Sequence, residues 1–561
     1  MYCMGYKIII IHCDSKEEFN LDIKAKILVV DDEKIIRKLL GATLTKNGYD
    51  IDFASNGYEA ISKIKVEQFD LILLDVTMPG LDGFETCRRI ISIDPELPVI
   101  QVTSSTDNES LTKGFEAGAL DYIRKPWQTM ELLARVKNIL RIKAAEKEKQ
   151  IYFKTLQDDM ITASVIMKMI LPEWIFLDHK MLFVSDYVPS NHVGGDVFNS
   201  VKLNDNQYIV YLGDISGHGV QAALFMSAVR TTINLLIEEH KDDFNIVTLM
   251  TKLNTTLSKD LFKSTDSYFT LIFGIVDFAD KTFEYVNCGH PPFMEYNIKT
   301  NEVVIHDEKG TIPIGWSADY AFDESEVGKI DLTMDKIIFL YTDGLNESID
   351  PDGNEFGING LTNILKNKID DVNTITLPFK IKQYLQDNKY KLSSDDFTLF
   401  AFQLQGNTNF NKVNPDPDKT KKMIFWIKAV MKDVGSVSQK CEKLVLAWTK
   451  NTTFSAKVEI IIDELLNNII EHGYNFEETA RIVFEFKLIG TKLYITMWDK
   501  GIEWVPETVK YNHDNPYLFE KDLFDISGRG LYMVLSWSEE FYRNRYSEEL
   551  NETIVVLDVS R

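Results

Sequence analysis

The feature that most constrains the fold is a regular alternation of short β-rich runs and helix-length amphipathic stretches between Lys26 and about Ile142. The apolar runs include Ile27–Val30, Leu71–Leu74 and Val99–Val102. Strands that alternate with helices in this way form a mostly parallel sheet, because each helix must cross from one strand to the next. The pattern therefore predicts a doubly wound α/β domain near the start of the chain.

Acidic residues follow the strands of this predicted domain. Asp31 and Asp32 end the first apolar run, and Asp75 ends the third. Ligand sites of doubly wound sheets lie at the carboxyl ends of the strands, so the three carboxylates are expected to converge and to bind Mg²⁺. Thr103 and Lys125 close the fourth and fifth runs and offer a hydroxyl and an ammonium to phosphoryl oxygens. For any one acid alone, a helix N-cap is the alternative interpretation.

The ordered set resembles the receiver domain of response regulators, through the segments Val29–Asp32, Leu74–Gly83 and Tyr122–Pro126. The resemblance implies that Asp75 is the phosphoacceptor and that a cognate histidine kinase is the phosphodonor. It implies Mg²⁺ ligands and residues that sense the phosphoryl group. The ligands would be Asp31, Asp32 and Asp75, and the sensing residues Thr103, Tyr122 and Lys125.

Four acid motifs are spread over the middle of the chain, and glycines beside the acids allow the backbone to approach a bound cation closely. Each acid ends or begins an apolar run, so folding could bring the acids to one edge of a β-sandwich. Hard oxygen ligands favour Mg²⁺ or Mn²⁺. The motifs are Gly194-Gly195-Asp196, Gly213-Asp214-Ile215-Ser216-Gly217-His218-Gly219, Tyr341-Thr342-Asp343-Gly344 and Ser394-Asp395-Asp396-Phe397-Thr398.

This assembly resembles the PPM family of metal-dependent phosphatases, in the branch that acts in sporulation and stress signalling. The resemblance implies an α/β/β/α sandwich that hydrolyses phosphoserine or phosphothreonine with two Mg²⁺ or Mn²⁺ ions. Asn199 stands where the family often has another acid, so a scaffold with an inactive centre is an alternative. The implied metal ligands are Asp196, Asp214, the main-chain carbonyl of Ile215, Asp343 and Asp395, with Asp396 supporting them by hydrogen bonds and His218 orienting or protonating.

A third set of motifs lies near the end of the chain. Glu464, Asn468 and His472 share one helix face by their i, i+4 spacing. Downstream, Trp498–Gly501 offers an acid for an adenine amino group, and Ser527–Leu531 offers glycines whose amides can hold phosphate.

Together these motifs resemble the GHKL-type ATP-binding fold of anti-sigma-factor serine kinases, an α/β sandwich. The resemblance implies that Glu464 is the base, Asn468 an Mg²⁺ ligand and Asp499 the adenine partner. Gly501, Gly528 and Gly530 would contact the nucleotide. Glu503 replaces a motif glycine, so a folded but inactive ATP-binding domain is an alternative. The absence of histidine between His306 and His472 argues against a histidine kinase acting in cis.

Composition shifts give the predicted domain boundaries. Residues 143–171 lack Gly and Pro, which predicts a linker helix that could pair with its copy in a homodimer. An Asn/Pro/Asp-rich stretch, Asn407–Lys419, predicts a second linker. The predicted ranges are an extension at 1–22, the receiver at 23–142, the linker helix at 143–172, the phosphatase at 173–405, the second linker at 406–420 and the ATP-binding domain at 421–561.

Charge and cysteine content exclude several classes of function. The net charge is −24, from 61 basic and 85 acidic residues, so nucleic-acid binding is not expected. Five separated cysteines without C-x-x-C spacing fit a reducing cytoplasm rather than a disulfide framework. The apolar run Lys7–Ile11 is far shorter than the roughly 20 residues of a membrane span, so membrane insertion is not expected either.

The three family resemblances together imply a bifunctional regulator. Phosphorylation of Asp75 would control dephosphorylation of an anti-sigma-factor antagonist protein, and the last domain would rephosphorylate that antagonist with ATP. The alternative is a binding protein or anti-sigma factor, in which the ATP-binding domain sequesters a sigma factor or antagonist without kinase turnover.

Overall fold

The computed structural model describes residues 25–104, 108–217, 219–241, 243–263, 267–369, 372–392, 395–405, 421–474, 480–502, 509–510, 518–519 and 529–560. The chain divides into two compact units, Met1–Asp158 and Asp159–Arg561. The first unit is a doubly wound α/β domain, and the second contains a middle domain and a last domain.

The first unit is built on a five-stranded parallel sheet in the order β2-β1-β3-β4-β5. Successive side chains of a strand point to opposite faces, so Leu28 and Val30 pack in one apolar core while Ile27 and Val29 pack in another. The strands are β1 (Lys26–Val30), β2 (Asp50–Ala54), β3 (Leu71–Asp75), β4 (Val99–Thr103) and β5 (Asp121–Arg124). The intervening helices are α1 (Lys34–Lys46), α2 (Gly57–Ile64), α3 (Gly83–Ile93) and α4 (Asn108–Glu116).

A single helix, α5 (Thr129–Ile170), runs for 42 residues from the end of the first domain. The predicted linker helix at 143–172 is therefore part of a longer element that begins 14 residues earlier than expected. No glycine or proline occurs between its ends, so nothing in the sequence interrupts the helical hydrogen bonds.

The middle domain is a sandwich of two antiparallel sheets. One sheet has the order β14-β11-β10-β9-β8, and its strands are β8 (Val197–Lys202), β9 (Gln207–Ile215), β10 (Phe269–Asp277), β11 (Thr282–Cys288) and β14 (Gly328–Asp331). The other has the order β13-β12-β15-β16-β7-β6, and its strands are β6 (Ile175–Leu177), β7 (Met181–Val188), β12 (Phe293–Asn297), β13 (Glu302–His306), β15 (Lys336–Tyr341) and β16 (Phe397–Leu404).

Alternation along the strands explains why helices cover both outer faces of this sandwich. In β9, Tyr208 and Val210 pack between the sheets, while Ile209 and Tyr211 pack beneath α6 and α7. The second sheet packs its outer face against α9 and α10. The layers are therefore α/β/β/α. The helices are α6 (Val220–Glu239), α7 (Ile246–Asp260), α8 (Asp343–Asn346), α9 (Gly357–Asn367) and α10 (Leu377–Asp387).

The last domain packs helices on one face of an antiparallel sheet in the order β17-β18-β19-β23-β22. Its main strands are β17 (Lys421–Lys428), β18 (Arg481–Ile489), β19 (Lys492–Asp499), β22 (Glu540–Tyr546) and β23 (Leu550–Asp558), with a short pair β20 (Val509–Lys510) and β21 (Leu518–Phe519). Its helices are α11 (Val434–Thr449), α12 (Thr452–Asn468) and α13 (Arg529–Trp537), and a π-helical turn, Ile469–Gly473, follows α12.

Among the described residues, α6 is the one helix whose length and composition would suffice to cross a membrane. Seven of its residues are buried, and they include Met226, Val229 and Ile233 in the core of the middle domain. The apolar character of α6 is thus accounted for by its packing.

Candidate functional site

The first acid cluster lies at the carboxyl end of the parallel sheet. One carboxylate oxygen from each of Asp31, Asp32 and Asp75 lies within 4.8 Å of the others. Lys125 reaches into this cluster from the end of β5, with its Nζ 2.8 Å from Asp31 Oδ2 and 2.9 Å from Asp75 Oδ1. Thr103 is buried at the end of β4. The fold therefore brings together the three acids and the ammonium that the sequence motifs single out, and it places Thr103 at the end of the strand next to β3.

Burial and charge act in opposite directions on Asp75. Desolvation raises the pKa of this carboxyl, and the hydrogen bond and charge of Lys125 lower it. Gly83 allows α3 to begin close to this site, because a Cβ there would lie 2.3 Å from the Asp75 carbonyl oxygen. A small cavity of about 10 Å³ is lined by Thr103 and Tyr122, among others. Tyr122 stacks edge-on against Phe115 at 6.0 Å between ring centroids.

The second acid cluster lies at one edge of the middle sandwich. Asp214 is near the end of β9, Asp343 begins α8, and Asp395 precedes β16. One carboxylate oxygen of each lies within 4.8 Å of the others. Residues separated by up to 181 positions in sequence thus meet because three different elements end at this edge.

Asp196 lies beside this cluster and is fully buried. Its Oδ2 accepts hydrogen bonds from the hydroxyls of Thr342, at 3.1 Å, and Thr398. The charge of Asp214 acts on its side chain as well. Its Oδ1 has no hydrogen-bond partner among the described residues.

The electrostatics of this cluster favour a bound cation. Burial, with the charges of Asp343 and Asp395, raises the pKa of Asp214 to about 8. Burial and the charge of Asp395 raise the pKa of Asp343 to about 6. Burial and the Asp214 charge likewise raise the pKa of Asp196. Buried carboxylates that repel one another bind divalent ions well, because the ion replaces the protons they would otherwise hold.

Asp396 shapes the loop that carries Asp196. Its carboxylate accepts hydrogen bonds from the main-chain N–H of Ser190, at 2.7 Å, and of Gly195. Gly194 is required for this approach, since a Cβ there would lie 2.1 Å from Asp396 Oδ2. Gly344 has the same role on the other side, where a Cβ would lie 2.1 Å from the Asp396 carbonyl oxygen.

The remaining predicted residues of this region take several positions. Ile215 is buried next to Asp214. Its carbonyl oxygen lies close to Gly195, since a Cβ added at Gly195 would be 3.1 Å from that oxygen. Asn199 is hydrogen-bonded to Tyr211 on the neighbouring strand. His218 lies outside the described residues. His290, which is not among the predicted site residues, is buried against Thr270 Oγ1 at 2.8 Å, and burial lowers its pKa to about 3.

In the last domain, Asp499 is fully buried at the end of β19. Its Oδ1 accepts hydrogen bonds from the Gly501 N–H at 2.9 Å and from Asn551 Nδ2 at 2.8 Å. Its Oδ2 has no partner among the described residues, so an acceptor is available there for an amino group such as that of adenine. Burial raises the pKa of this carboxyl.

Asn468 ends α12, and its Nδ2 lies 3.4 Å from Glu464 Oε1, so the predicted amide and base are adjacent on one helix face. Gly530 lies in the first turn of α13. Gly528 and Glu503 lie outside the described residues.

Family models match three segments of the chain. Residues 27–137 match the response regulator receiver domain. Residues 204–405 match stage II sporulation protein E, and residues 413–557 match the histidine kinase-like ATPase domain. The chain thus contains three segments that match, in order, a response regulator receiver domain, a SpoIIE phosphatase domain and a histidine kinase-like ATPase domain. The predicted family, the three-part fold class and the assignment of a serine/threonine phosphatase domain of the PPM type are thereby confirmed.

Among curated relatives, the transcriptional regulatory protein ResD of Bacillus subtilis is 48% identical over 118 residues, which are 21% of this chain and 49% of that protein. The response regulator MprA of Mycobacterium avium is 38% identical over 143 residues, which are 25% of this chain and 63% of that protein. The chain thus spans 49% and 63% of the length of these two relatives.

Two solved structures resemble longer parts of the regulator. The RsbU and RsbW domains of Rv1364c from Mycobacterium tuberculosis are 18% identical, with 68% of this chain and 93% of that one covered and a TM-score of 0.34. The SiaA-PP2C domain of Pseudomonas aeruginosa is 20% identical, with 45% and 98% covered and a TM-score of 0.37.

The structure adds residues to the sites that the motifs did not single out. Thr342 and Thr398 hold Asp196 in the phosphatase domain, and Asn551 holds Asp499 in the ATPase domain. Both threonines stand inside quoted motifs, beside the acids, so their position was a usable signal. Asn551 lies 52 residues beyond Asp499, and no local spacing connects the two.

Proposed function

We propose that this response regulator is phosphorylated at Asp75 and thereby controls metal-dependent dephosphorylation of a phosphoserine or phosphothreonine on an anti-sigma-factor antagonist protein. The ATPase domain catalyses the opposing phosphorylation of the same antagonist. The phosphodonor is a cognate histidine kinase, and the reactions take place in the cytoplasm.

The observation that carries the phosphatase proposal is the convergence of Asp214, Asp343 and Asp395 beside the buried Asp196. When bound there, two Mg²⁺ or Mn²⁺ ions supply an activated water and neutralise charge on the phosphoryl group. The residues of the chain hold and orient this centre. Thr342 and Thr398 direct Asp196 by their hydroxyls.

The receiver part of the proposal rests on Lys125. Its ammonium already pairs with Asp31 and Asp75, and it is placed to pair with a phosphoryl group on Asp75 once that group forms. After phosphorylation, Lys125 would pair with a phosphoryl oxygen instead of the Asp75 carboxylate. This changes the charge around Lys125 and can shift the equilibrium of the surrounding elements between two conformations.

The kinase part of the proposal rests on Asp499 and the Glu464–Asn468 pair. With a nucleotide bound, Asp499 Oδ2 would accept a hydrogen bond from the adenine amino group, and Asn468 would be a ligand for Mg²⁺. Glu464 takes the proton from the serine or threonine hydroxyl that attacks the terminal phosphoryl group. ADP leaves, and the phosphorylated antagonist becomes substrate for the phosphatase domain.

The test is to incubate the full chain with Mn²⁺ and a phosphorylated antagonist protein from the same genome, and to follow loss of phosphoserine or phosphothreonine. Asp343→Asn removes one carboxylate of the cluster, and Asp352→Asn is the matched control on an exposed turn of the same domain. Hydrolysis by the wild type and by Asp352→Asn, but not by Asp343→Asn, is the expected result.

Two further arms separate the parts of the proposal. Release of phosphate from a small aryl phosphate without release from the antagonist would reject the antagonist as substrate and keep the metal centre. ADP binding without transfer from ATP to the unphosphorylated antagonist would reject the kinase and favour a regulated binding protein. Absence of all hydrolysis, with and without receiver phosphorylation, would reject the phosphatase function.

A further inference from the structure

The phosphatase and ATPase domains share an apolar core. The ATPase sheet buries one face under its own helices, and part of its other face packs against strands β6 and β7 and helix α10 of the phosphatase domain. Trp426 Nε1 donates to the Leu177 carbonyl at 3.2 Å, and Arg481 donates to the Ile175 carbonyl at 2.8 Å. Members of the shared core include Leu177, Val184, Phe379, Val483, Trp498 and Leu550.

Four charged side chains cross this interface and form what we call the bridge cluster: Asp186, Lys382, Lys500 and Glu549. Lys382 Nζ lies 2.6 Å from Asp186 Oδ2 and 2.6 Å from Glu549 Oε1. Lys500 Nζ lies 3.1 Å from Glu549 Oε2 and 3.6 Å from Asp186 Oδ1. The side chains of Asp186 and Lys382 are 0% and 2% exposed. The side chains of Lys500 and Glu549 are 25% and 38% exposed, so two cations and two anions balance in a site that is buried on the phosphatase side and reached by water on the ATPase side.

The bridge cluster is attached directly to the nucleotide site. Lys500 follows Asp499 in the chain, and its N–H donates to the hydroxyl of Tyr474 at 2.7 Å. Its ammonium lies 4.7 Å from the ring centroid of Phe379, in α10 of the phosphatase domain. Glu549 stands in the turn between β22 and β23, two residues before Asn551, which holds Asp499.

The same cluster is attached to the phosphatase centre. Asp186 lies in β7 and pairs in register with Leu399 of β16. Strand β16 begins at Phe397, next to Asp396, and contains Thr398, which donates to Asp196. Strand β7 therefore supplies one residue of the bridge cluster, and the strand paired with it, β16, supplies a residue that contacts Asp196.

The energetics of burial make the four charges interdependent. Removal of charges from water is unfavourable, and their mutual attraction offsets this only when all partners are in place, so loss of one partner leaves an uncompensated charge. Lys382 keeps its charge, because Asp186 and Glu549 raise its pKa against the effect of burial. The attraction of Lys382 and Lys500 lowers the pKa of Glu549 to about 2 despite burial. A displacement of Lys500 would therefore change the electrostatic stabilisation of Asp186.

We propose that Asp186 and Lys382 of the phosphatase domain are positioning residues for the nucleotide site, acting through Lys500 and Glu549, and that nucleotide binding and the phosphatase centre are energetically linked through them. The inference rests on the proposed function, since it requires a nucleotide at Asp499 and a reaction at the acid cluster. By reciprocity, a nucleotide that changes the phosphatase centre is itself bound with an affinity that depends on that centre.

The test uses the full chain, ADP and a small aryl phosphate with Mn²⁺. In the wild type, saturating ADP changes kcat/KM of aryl phosphate hydrolysis by about fivefold or more, and Mn²⁺ with inorganic phosphate changes the Kd for ADP by a similar factor. Lys500→Met keeps the buried Asp186–Lys382 pair and abolishes both responses. The double change Asp186→Asn with Lys382→Met removes the pair together and serves where a single change fails to fold.

Lys380→Met is the matched control. Lys380 lies on the same helix as Lys382 and faces the same domain, with its Nζ 5.4 Å from the Tyr546 ring centroid, but it lies outside the bridge cluster. This variant keeps both responses. Equal behaviour of Lys380→Met and Lys500→Met, or a wild type that hydrolyses and binds ADP without either response, overturns the linkage and leaves the proposed function intact. A wild type that neither hydrolyses nor binds ADP removes both.

Discussion

The receiver and the phosphatase domain each gather three aspartates within 4.8 Å, yet they handle the resulting negative charge differently. In the receiver, an ammonium from the chain itself, that of Lys125, touches two of the acids. In the phosphatase domain, the charges that act most strongly on Asp214 are those of other acids. The receiver cluster therefore has part of its charge offset by a cation of the chain itself, whereas we propose that the cluster of Asp214, Asp343 and Asp395 is neutralised by bound ions.

The chemistry proposed for each site follows from this difference. A receiver must keep a phosphoryl group, and a fixed ammonium stabilises the product of its reaction. A hydrolase must release its product, and it benefits from ions that bind water as well as phosphate. Four experiments break or sharpen the contrast, beginning with the one expected to have the largest effect.

The largest effect is expected from Asp214→Asn. Asp214 has its pKa raised further than Asp343, to about 8 compared with about 6, and it is only partly buried. We expect its loss to lower kcat/KM for phosphate hydrolysis by about 10³-fold. Phosphorylation of Asp75 by acetyl phosphate, followed by intact-protein mass, should be unchanged. Asp205→Asn, at a side chain that is 98% exposed, controls for the loss of a charge. Retained hydrolysis in Asp214→Asn would show that the cluster is not the reaction centre.

The next largest effect is expected from removing the receiver's own cation. Lys125→Met leaves Asp31 and Asp75 buried without their partner and should lower the free energy of unfolding of the receiver by about 3 kcal/mol. Mg²⁺ should restore more stability to this variant than to the wild type. Calorimetry of the full chain measures both effects.

Lys63→Met provides the comparison for that experiment. Lys63 pairs with Asp52 at 2.7 Å on a surface about 30% exposed, where such pairs contribute under about 1 kcal/mol. If the two variants lose the same stability, Lys125 does not act as an internal counterion.

Proton competition should distinguish the sites as well. Because the pKa of metal-free Asp214 is raised to about 8, its carboxyl holds a proton below that pH and must lose it to bind an ion. Apparent Mn²⁺ affinity at the phosphatase centre should increase roughly 100-fold from pH 6 to pH 8, since each displaced proton contributes about tenfold per pH unit. Because the pKa of Asp214 is raised in the folded domain, the folded state binds a proton more tightly than the unfolded chain does. The free energy of unfolding of the metal-free domain should therefore fall as the pH rises toward 8.

Calorimetric Mn²⁺ titrations in two buffers of different ionisation heat measure the released protons directly. Asp214→Asn gives the contribution of the receiver, whose pH dependence should be weaker because Lys125 offsets the effect of burial on Asp75. Equal affinity at pH 6 and pH 8 in the wild type would contradict the proposed electrostatics.

The smallest effect is expected from Thr398→Val. Loss of the hydroxyl leaves Asp196 with one fewer donor, and the pKa of this buried acid should rise further. We expect kcat/KM to fall about tenfold, which corresponds to the loss of one hydrogen bond to a charged group. Thr362→Val, which removes a hydroxyl bonded at 2.9 Å to the Ile358 carbonyl on α9, should leave hydrolysis unchanged.

Sequence patterns predicted the acids and the strands that present them, because both follow from local periodicity and from the rule that sites lie at strand ends. Asp31, Asp75 and Asp214 are found where that rule places them. The beginning of α5 was not predicted, because the chain gives no stop signal between the last helix of the receiver and the predicted linker.

Contacts that join distant segments also could not be predicted. Asp186 and Lys382 are 196 positions apart, and neither belongs to a motif that sets it apart in the sequence. Only the packing of two domains turns them into a buried pair, and a single sequence contains no spacing rule for such packing. The same holds for Asn551, which looks like any polar residue on a strand until its contact with Asp499 is seen.

The shared apolar core has a practical consequence for anyone who wishes to divide this protein. Phe379 and Trp498 are each under 2% exposed, and they belong to different domains. If the two domains are expressed as separate fragments, each will expose an aromatic surface that the other domain normally covers. Fragments ending near residue 405 should therefore be poorly soluble alone and should recover when both halves are produced in the same cell.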